Sequence, residues 1–318
     1  MKLAFEKAAL IGLLGCLLPL AAGAETIPVI VKDTTSQYWQ IVLAGAHAAG
    51  KELKIDVPAL GAQAESDIAG QISALENAVA GKPAAVVIAP TQAAALAGPI
   101  TEAAKQVKIV GIDSRAETDA FSAFLSTDNV KGGRVAADAL GDAMKAKFGE
   151  AKGDVALLVA LPGVGSLDQR SQGFKDELKA KWPGLRLVAE RVGDGQATSG
   201  LNIMTDLITA NPNLKGVFAS NLPMAQGAGE ALAENKDAKI VMVGFDSDDK
   251  LVKLVRDGVI TGLVVQDPYR MGYEGVKTAA ALAKGQKVEK SIDTGVVLID
   301  KQNIDTPRSQ ALLNPKLD

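Results

Sequence analysis

The sequence predicts an α/β protein built as two doubly wound parallel-sheet lobes, and three observations carry that prediction. Runs rich in isoleucine and valine recur along the whole chain, continuous in apolar character rather than alternating. Such runs suit parallel strands buried on both faces. Amphipathic helical patterns lie between them, as a parallel sheet requires of its crossovers. A length of 318 residues exceeds what one small core organises and matches two domains of roughly 150 residues each.

Taken in order, the strand candidates are Ile27 to Lys32, Ala84 to Ala89, Val107 to Ile112, Val155 to Leu161, Leu185 to Val192, Lys215 to Ala219, Ile240 to Phe245 and Ile260 to Val265. Among the intervening segments, Ile68, Ile72, Leu75 and Val79 fall on one helical face, as do Leu251, Leu254 and Val255. About four to six such units lie on each side of roughly residue 128. No Pro/Gly/Ser-rich linker separates the halves, so the lobes are expected to be joined tightly.

The first 24 residues read as an export signal rather than as part of the fold. Lys2 and Lys7 flank the start, Ala8 to Leu18 is an apolar run, and Ala22-Gly23-Ala24 is a small-residue cleavage pattern. The run is short for a bilayer span. Leu13-Leu14-Gly15-Cys16 also resembles a lipoprotein processing box, but Leu17 to Ala24 stays apolar where a lipoprotein turns polar, which favours cleavage after Ala24. The chain's single cysteine then leaves with the signal, and the exported protein must be held together by core burial without disulfides.

Composition narrows the function. Apolar residues make up 47% and charged residues 22%, and 34 basic against 37 acidic side chains give a net charge of −3. That balance supplies no basic stripe for nucleic acid. One cysteine and one histidine leave neither a disulfide framework nor a zinc site. No cofactor or metal is called for: Asp246-Ser247-Asp248-Asp249 lacks the glycine and distal glutamate of a calcium loop. There is no Gly-x-Ser-x-Gly elbow. In Gly163-Val164-Gly165, Asp168 stands where a dinucleotide fingerprint needs its third glycine.

Ligands of doubly wound sheets bind beyond the carboxyl ends of the strands. There the sequence puts Asp33, Ser36, Tyr38 and Trp39 after the first run, and Pro90 and Thr91 after the next. Asp113 follows Ile112, and Arg170 follows the Val155 run through a glycine-rich turn. Asn221, Asp246 and Gln266 follow Ala219, Phe245 and Val265. Acids, amides and an arginine can saturate the hydroxyls of a neutral polyhydroxylated ligand, and an adjacent Tyr-Trp pair can pack on the C–H face of a sugar ring. Each assignment has a bland alternative. Asp113 and Asp246 can cap following helices, Tyr38-Trp39 can be core, Arg170 can be solvated surface, and His47 reads as an ordinary helix residue.

Several short motifs stand in order along the chain: Gly111-Ile112-Asp113, Ser126-Thr127-Asp128-Asn129 with Gly132-Gly133, and Arg170 with Gly173-Phe174. Gly200-Leu201-Asn202, Phe218-Ala219-Ser220-Asn221 with Met224-Ala225, Val243-Gly244-Phe245-Asp246 and Gln266-Asp267-Pro268 follow. In their order and spacing, from Thr26 to about Ile299, the chain resembles the ribose-type periplasmic sugar-binding proteins of ABC importers. The resemblance implies the type I periplasmic binding protein fold with a three-strand hinge at Thr127-Asp128, Gln266-Asp267 and Asp293-Thr294. The lobes would then be residues 25–127 plus 267–293 and residues 128–266 plus 294–318. By the same resemblance Tyr38 and Trp39 stack on the ring, while Ser36, Asp113, Arg170, Asn221, Asp246 and Gln266 bond its hydroxyls.

Two departures stand out. Where the family has arginine after the aspartate, this chain has Ser114, with Arg115 one place later; where ribose binders place a third aromatic, it has Gly195. Both suggest a wider, less positive pocket and a hexose, ketose or polyol as readily as ribose. The expected function is the periplasmic solute receptor of an importer, a monomer that takes a neutral monosaccharide or sugar alcohol to a permease in the inner membrane, with a chemoreceptor as a further partner. The alternatives left open are an exported carbohydrate hydrolase using Asp113 and Asp246, and a receptor for another small solute such as an amino acid.

Overall fold

A computed structural model describes residues 25–315; the expected signal segment and Cys16 lie outside the described residues. Strands β1 (Val29–Asp33), β2 (Ala59–Ala62), β3 (Ala85–Ile88), β4 (Lys108–Ile112) and β5 (Ala123–Ser126) alternate with helices α1 (Gln37–Leu53), α2 (Ile68–Ala80) and α3 (Ala93–Ala104). After α4 (Asn129–Phe148) come β6 (Gly153–Val159), α5 (Gly165–Lys181), β7 (Leu185–Val192), α6 (Ala197–Ala210), β8 (Leu214–Ala219) and α7 (Leu222–Glu234). The chain continues through β9 (Val241–Phe245), α8 (Asp249–Asp257), β10 (Gly262–Gln266), α9 (Pro268–Ala283), β11 (Ser291–Asp293), β12 (Val296–Asp300) and α10 (Pro307–Leu313).

The strands form two sheets of six, in the orders β11-β5-β4-β3-β1-β2 and β12-β10-β9-β8-β6-β7. Each strand thus has a counterpart in the other sheet, β1 with β6 through β5 with β10, and β11 with β12. The central strands are buried along almost their whole length because helices cover both faces, which is why their sequences read as unbroken apolar runs.

One expectation of the sequence is amended. The first sheet is parallel throughout, but β12 runs antiparallel to β10, pairing Val296 with Gln266 and Asp300 with Gly262. The reason is the short link Thr294-Gly295. The strand β11 runs parallel to β5 and continues with little change into β12, so it enters the second sheet from the carboxyl end of β10 and runs against it.

The chain passes between the sheets three times, after β5, after β10 and between β11 and β12. Two passages hand over a helix: α4 packs under the second sheet beside α5, and α9 packs under the first beside α1. Both handovers use glycine to bring backbones together. A Cβ on Gly133 would lie 2.0 Å from the Arg170 carbonyl oxygen, and one on Gly272 would lie 1.9 Å from that of Val42. The first approach fixes where α5 presents Arg170.

Candidate functional site

The carboxyl ends of both sheets meet at a narrow cavity between the lobes. Ser36, Tyr38, Trp39, Asp113, Arg170, Asn221, Asp246 and Gln266 all line it. Residues scattered along the chain therefore converge, as the sequence predicts. The walls also include Leu222 and Pro223, together with Lys32, Glu65, Ser166 and Leu167, the last four of which sequence reasoning did not single out.

The two acids occupy matching places at the ends of β4 and β9 and use the same local device. Asp113 has φ 60° and Asp246 φ 67°, a left-handed conformation that few side chains other than Asn and Asp adopt. Each backbone N–H is held by a neighbouring strand, Asp113 donating to Leu125 O at 3.0 Å and Asp246 to Val264 O at 2.8 Å. Neither caps a helix; Asp248 caps α8 by accepting from Leu251 N.

Asp113 is the more heavily tied. Tyr38 donates its hydroxyl to Oδ1 at 3.0 Å, Lys32 Nζ lies 2.7 Å from Oδ2, and Ser114 Oγ lies 2.8 Å from the same oxygen. Burial pushes the Asp113 carboxyl up, but the charges of Lys32 and Arg170, with hydrogen bonds from Lys32 and Ser114, outweigh it and hold it below its ordinary value. Burial and then the Asp113 charge raise the Tyr38 phenol well above its usual value, so Tyr38 stays a donor.

Asp246 is less well served. Gln266 Nε2 donates to Oδ1 at 2.8 Å, while Arg170 Nη1 stands 4.0 Å from Oδ2. Burial therefore wins over Arg170 and Gln266, and the Asp246 carboxyl is raised. Arg170 is only 2% exposed, contrary to a solvated surface role. Its Nε donates to Asn129 Oδ1 at 2.9 Å and its Nη1 to Ser220 O at 2.9 Å. Its guanidinium carbon lies 3.7 Å from the centroid of Phe245, a stacked cation–π arrangement. Two of five guanidinium donors are thus committed, and the rest remain for a ligand.

The ring pair is buried, with Tyr38 and Trp39 edge to face at 4.8 Å between centroids. Trp39 Nε1 donates to Glu65 Oε1 at 2.7 Å. Asn221 caps α7, its Oδ1 accepting from Met224 N at 3.3 Å, which leaves the amide nitrogen for the cavity. Ser36 precedes α1 without a side-chain cap bond. Asp33, by contrast, spends its carboxylate on Thr35 and Ser36 backbone N–H groups.

Three sequence expectations need amending here. Arg115 is not brought to the cavity: it is exposed and lies over Phe121 and Phe124, 4.3 Å from the latter's centroid. Ser114 does not line the cavity but supports its wall, within 2.7 Å of Lys32 Nζ and 2.8 Å of Ser166 Oγ. The expectation of a less positive pocket is offset as well, since Lys32, arriving from β1, lines the cavity with its Nζ 2.7 Å from Asp113 Oδ2. The signal was present: a lysine ends an apolar strand at the edge where ligands bind. Gly195 has no place in the wall, and Leu222 and Pro223 close the second lobe's side instead.

The lobes touch across the cleft. Ser114 Oγ on the first meets Ser166 Oγ on the second at 2.8 Å, and Ala93 N donates to Gly163 O at 2.9 Å. At the crossovers, Thr127 Oγ1 donates to Gly295 O at 3.2 Å, Asp128 N to Asp293 Oδ1 at 3.3 Å, and Thr294 N to Ser126 O at 3.0 Å. Asp128 and Asp267 cap the two exchanged helices, accepting from Lys131 N and Arg270 N.

Fold and cleft together define a two-lobed receptor of the type I periplasmic binding protein kind. Residues 27–287 match the family described as periplasmic binding protein domain, and the chain belongs to that family. The ribose import binding protein of Bacillus subtilis is 32% identical over 237 residues, 74% of each chain. The D-allose-binding periplasmic protein of Escherichia coli is 28% identical over 286 residues, 87% of this chain and 90% of that one. Among solved structures, a carbohydrate transporter solute binding protein from Agrobacterium radiobacter in complex with D-arabinose is 61% identical, with a TM-score of 0.91 over 92% of this chain and 100% of that one. An ABC transporter solute binding protein from Agrobacterium vitis with bound D-fucose is 40% identical, with a TM-score of 0.85 over 91% and 99%. The chain is a sugar-binding solute receptor of an ABC transporter, and its family places it in the periplasm. These relatives lend no support to the hydrolase or the amino-acid receptor.

Proposed function

We propose that the cavity holds one neutral monosaccharide of five or six carbons, with Tyr38 and Trp39 against its ring and Ser36, Asp113, Arg170, Asn221, Asp246 and Gln266 on its hydroxyls. The observation that carries this reading is Gln266 Oε1, a buried acceptor with no partner on the cavity wall. A buried unpaired acceptor costs roughly 1–3 kcal/mol, and a ligand hydroxyl is the group that relieves it. Spare donors on Arg170 and Asn221 point to the same kind of guest, which both donates and accepts. That proteins similar to this one hold D-arabinose and D-fucose supports the class.

Capture works by hinge closure. A ligand favours the closed form only through its greater affinity for that form, and a site split between lobes provides the difference. Lys32, Tyr38, Trp39 and Asp113 stand on the first lobe, Arg170, Asn221 and Asp246 on the second, and Gln266 at a crossover flanked by Asp267. Thr127, Asp128, Asp293 and Thr294 form the other two hinge strands. The lobes are taken as residues 25–127 plus 267–293 and residues 128–266 plus 294–318, a division that the membership of the two sheets supports. Charge-assisted bonds of roughly 1.5–3 kcal/mol each suffice for a micromolar complex, about −8 kcal/mol. The loaded monomer delivers its sugar to the permease in the inner membrane and offers the same closed face to a chemoreceptor. Export relies on the signal in residues 1–24, cleaved after Ala24, rather than on a lipid at Cys16.

The test is a thermal-shift and calorimetric screen over pentoses, hexoses, ketoses and alditols, with the sugar recovered afterwards. Stabilisation by at least one of them, with the sugar recovered intact, is expected. Turnover of a glycoside, or tighter binding of an amino acid than of any sugar, overturns the reading.

A further inference from the structure

Glu65 stands outside every motif of the family resemblance, yet it lines the cavity. It lies in the loop between β2 and α2 and is tied at both ends. Its Oε1 accepts from Trp39 Nε1 at 2.7 Å, and its backbone carbonyl accepts from Thr91 Oγ1. The other charged groups of the wall are matched, Lys32 with Asp113 at 2.7 Å and Arg170 facing Asp246 at 4.0 Å. Among the described residues Glu65 has no ion-pair partner, and no protein group donates to its Oε2.

The consequence is chemical. An indole has one N–H donor, and in Trp39 it is already used, so that ring offers a ligand only its apolar face. Polar recognition on that side therefore falls to Glu65, a carboxylate that only accepts. The hydrogen bond from Trp39 fixes its direction, so the free oxygen is presented without a further ordering cost.

We propose that Glu65 is a specificity-determining residue: its carboxylate, held by Trp39, accepts a hydrogen bond from one hydroxyl of the bound sugar and so selects sugars that carry a donor at that position over their deoxy analogues. The inference rests on the sugar-binding reading and adds a contact to it. A site built to bond a hydroxyl rejects the analogue lacking it strongly, because the buried polar group is left unpaired.

The experiment is calorimetry on the full exported chain with D-arabinose and its 2-, 3- and 5-deoxy analogues, and with D-galactose against its 6-deoxy counterpart D-fucose. Wild type, Glu65→Ala and Glu65→Gln are compared. Glutamine can still accept from Trp39 through its carbonyl oxygen, but then presents an amide N–H where the carboxylate presents an acceptor. Expected are a tenfold or greater loss of affinity for the parent sugar in both variants and loss of the preference for a hydroxyl at one ring position, with preferences at the others kept. Trp39 emission in Glu65→Gln should match wild type. If Glu65→Gln binds as wild type does and only Glu65→Ala is impaired, Glu65 merely holds the indole and the proposal is wrong. Survival of every deoxy preference in both variants overturns it equally. Failure of the wild type to bind any of these sugars is a different result, since it sinks the sugar reading itself.

Discussion

Lys32→Met offers the sharpest test of how the cavity wall is held. Methionine keeps the length and apolar stem of lysine and removes the charge. In the wild type Nζ lies 2.7 Å from Asp113 Oδ2, with the two side chains 3% and 4% exposed. Removing one partner of a buried ion pair costs about 3–5 kcal/mol, because the remaining charge is stranded. Asp113 keeps the Tyr38 and Ser114 hydroxyls, which places the loss at the lower end, about 3 kcal/mol. At roughly 2–4 °C per kcal/mol for a unit of 150–250 residues, the melting transition at neutral pH should fall by about 6–12 °C. The pH dependence has a definite sign. Asp113 is held below its ordinary value, so its stabilising contribution is present above the unfolded carboxyl pKa and is lost as pH falls through the folded one. Without Lys32 that depression is lessened, and the deficit of the variant should shrink as pH drops below about 4. Adding Asp113→Asn to Lys32→Met should restore much of the stability, since asparagine keeps the left-handed backbone and an acceptor for Tyr38 and leaves no stranded charge. Denaturation of the four proteins of this cycle at pH 7 and pH 4 is the assay. A loss under about 1 kcal/mol for Lys32→Met at neutral pH, or no recovery in the double variant, would refute a wall held by this ion pair.

Three further outcomes are expected. Asp113→Ala should weaken sugar binding about tenfold to a hundredfold through loss of a charged acceptor, and unchanged affinity in a folded variant would remove Asp113 from the site. Trp39→Ala should cost far more affinity than Arg115→Ala, because the Arg115 guanidinium lies over Phe121 and Phe124 outside the cavity; the reverse order would put Arg115 in contact with the ligand. Affinity should fall on acidification from neutral pH, because burial has raised Asp246 and it takes up a proton before Asp113 does. Isothermal titrations of Asp246→Asn should show a weaker but flatter profile, and a slope as steep as wild type would assign the loss to another group.

The central strands were legible because burial on both faces writes itself into the residues: Val86, Val87 and Ile88 are all fully buried. The strands β2, β5, β11 and β12 were not read as strands. Ala59–Ala62 is a partly exposed edge of small residues and Ser291–Asp293 is three largely exposed ones, so neither carries a pattern. The place of the site was legible for the reason that α/β sheets put ligands at strand ends. What escaped was pairing. Nothing in the spacing shows that Lys32 will reach Asp113, 81 positions away in the numbering, or that Glu65, in a polar loop, will meet the indole of Trp39. Arg115 misleads for the converse reason: a cation one residue from a site aspartate looks like a ligand group until its backbone turns it onto two phenylalanines.

The exchange of α4 and α9 between the sheets bears on how the chain is made. The helix that packs beside α1, and the strand that completes the first sheet at β5, both come from the far end of the polypeptide. A nascent chain that has synthesised the whole of its leading half still lacks those pieces, and so has an open sheet border and an uncovered apolar flank. It cannot lock into its finished shape early. For a protein destined for the periplasm, that delay keeps the polypeptide threadable until its tail arrives.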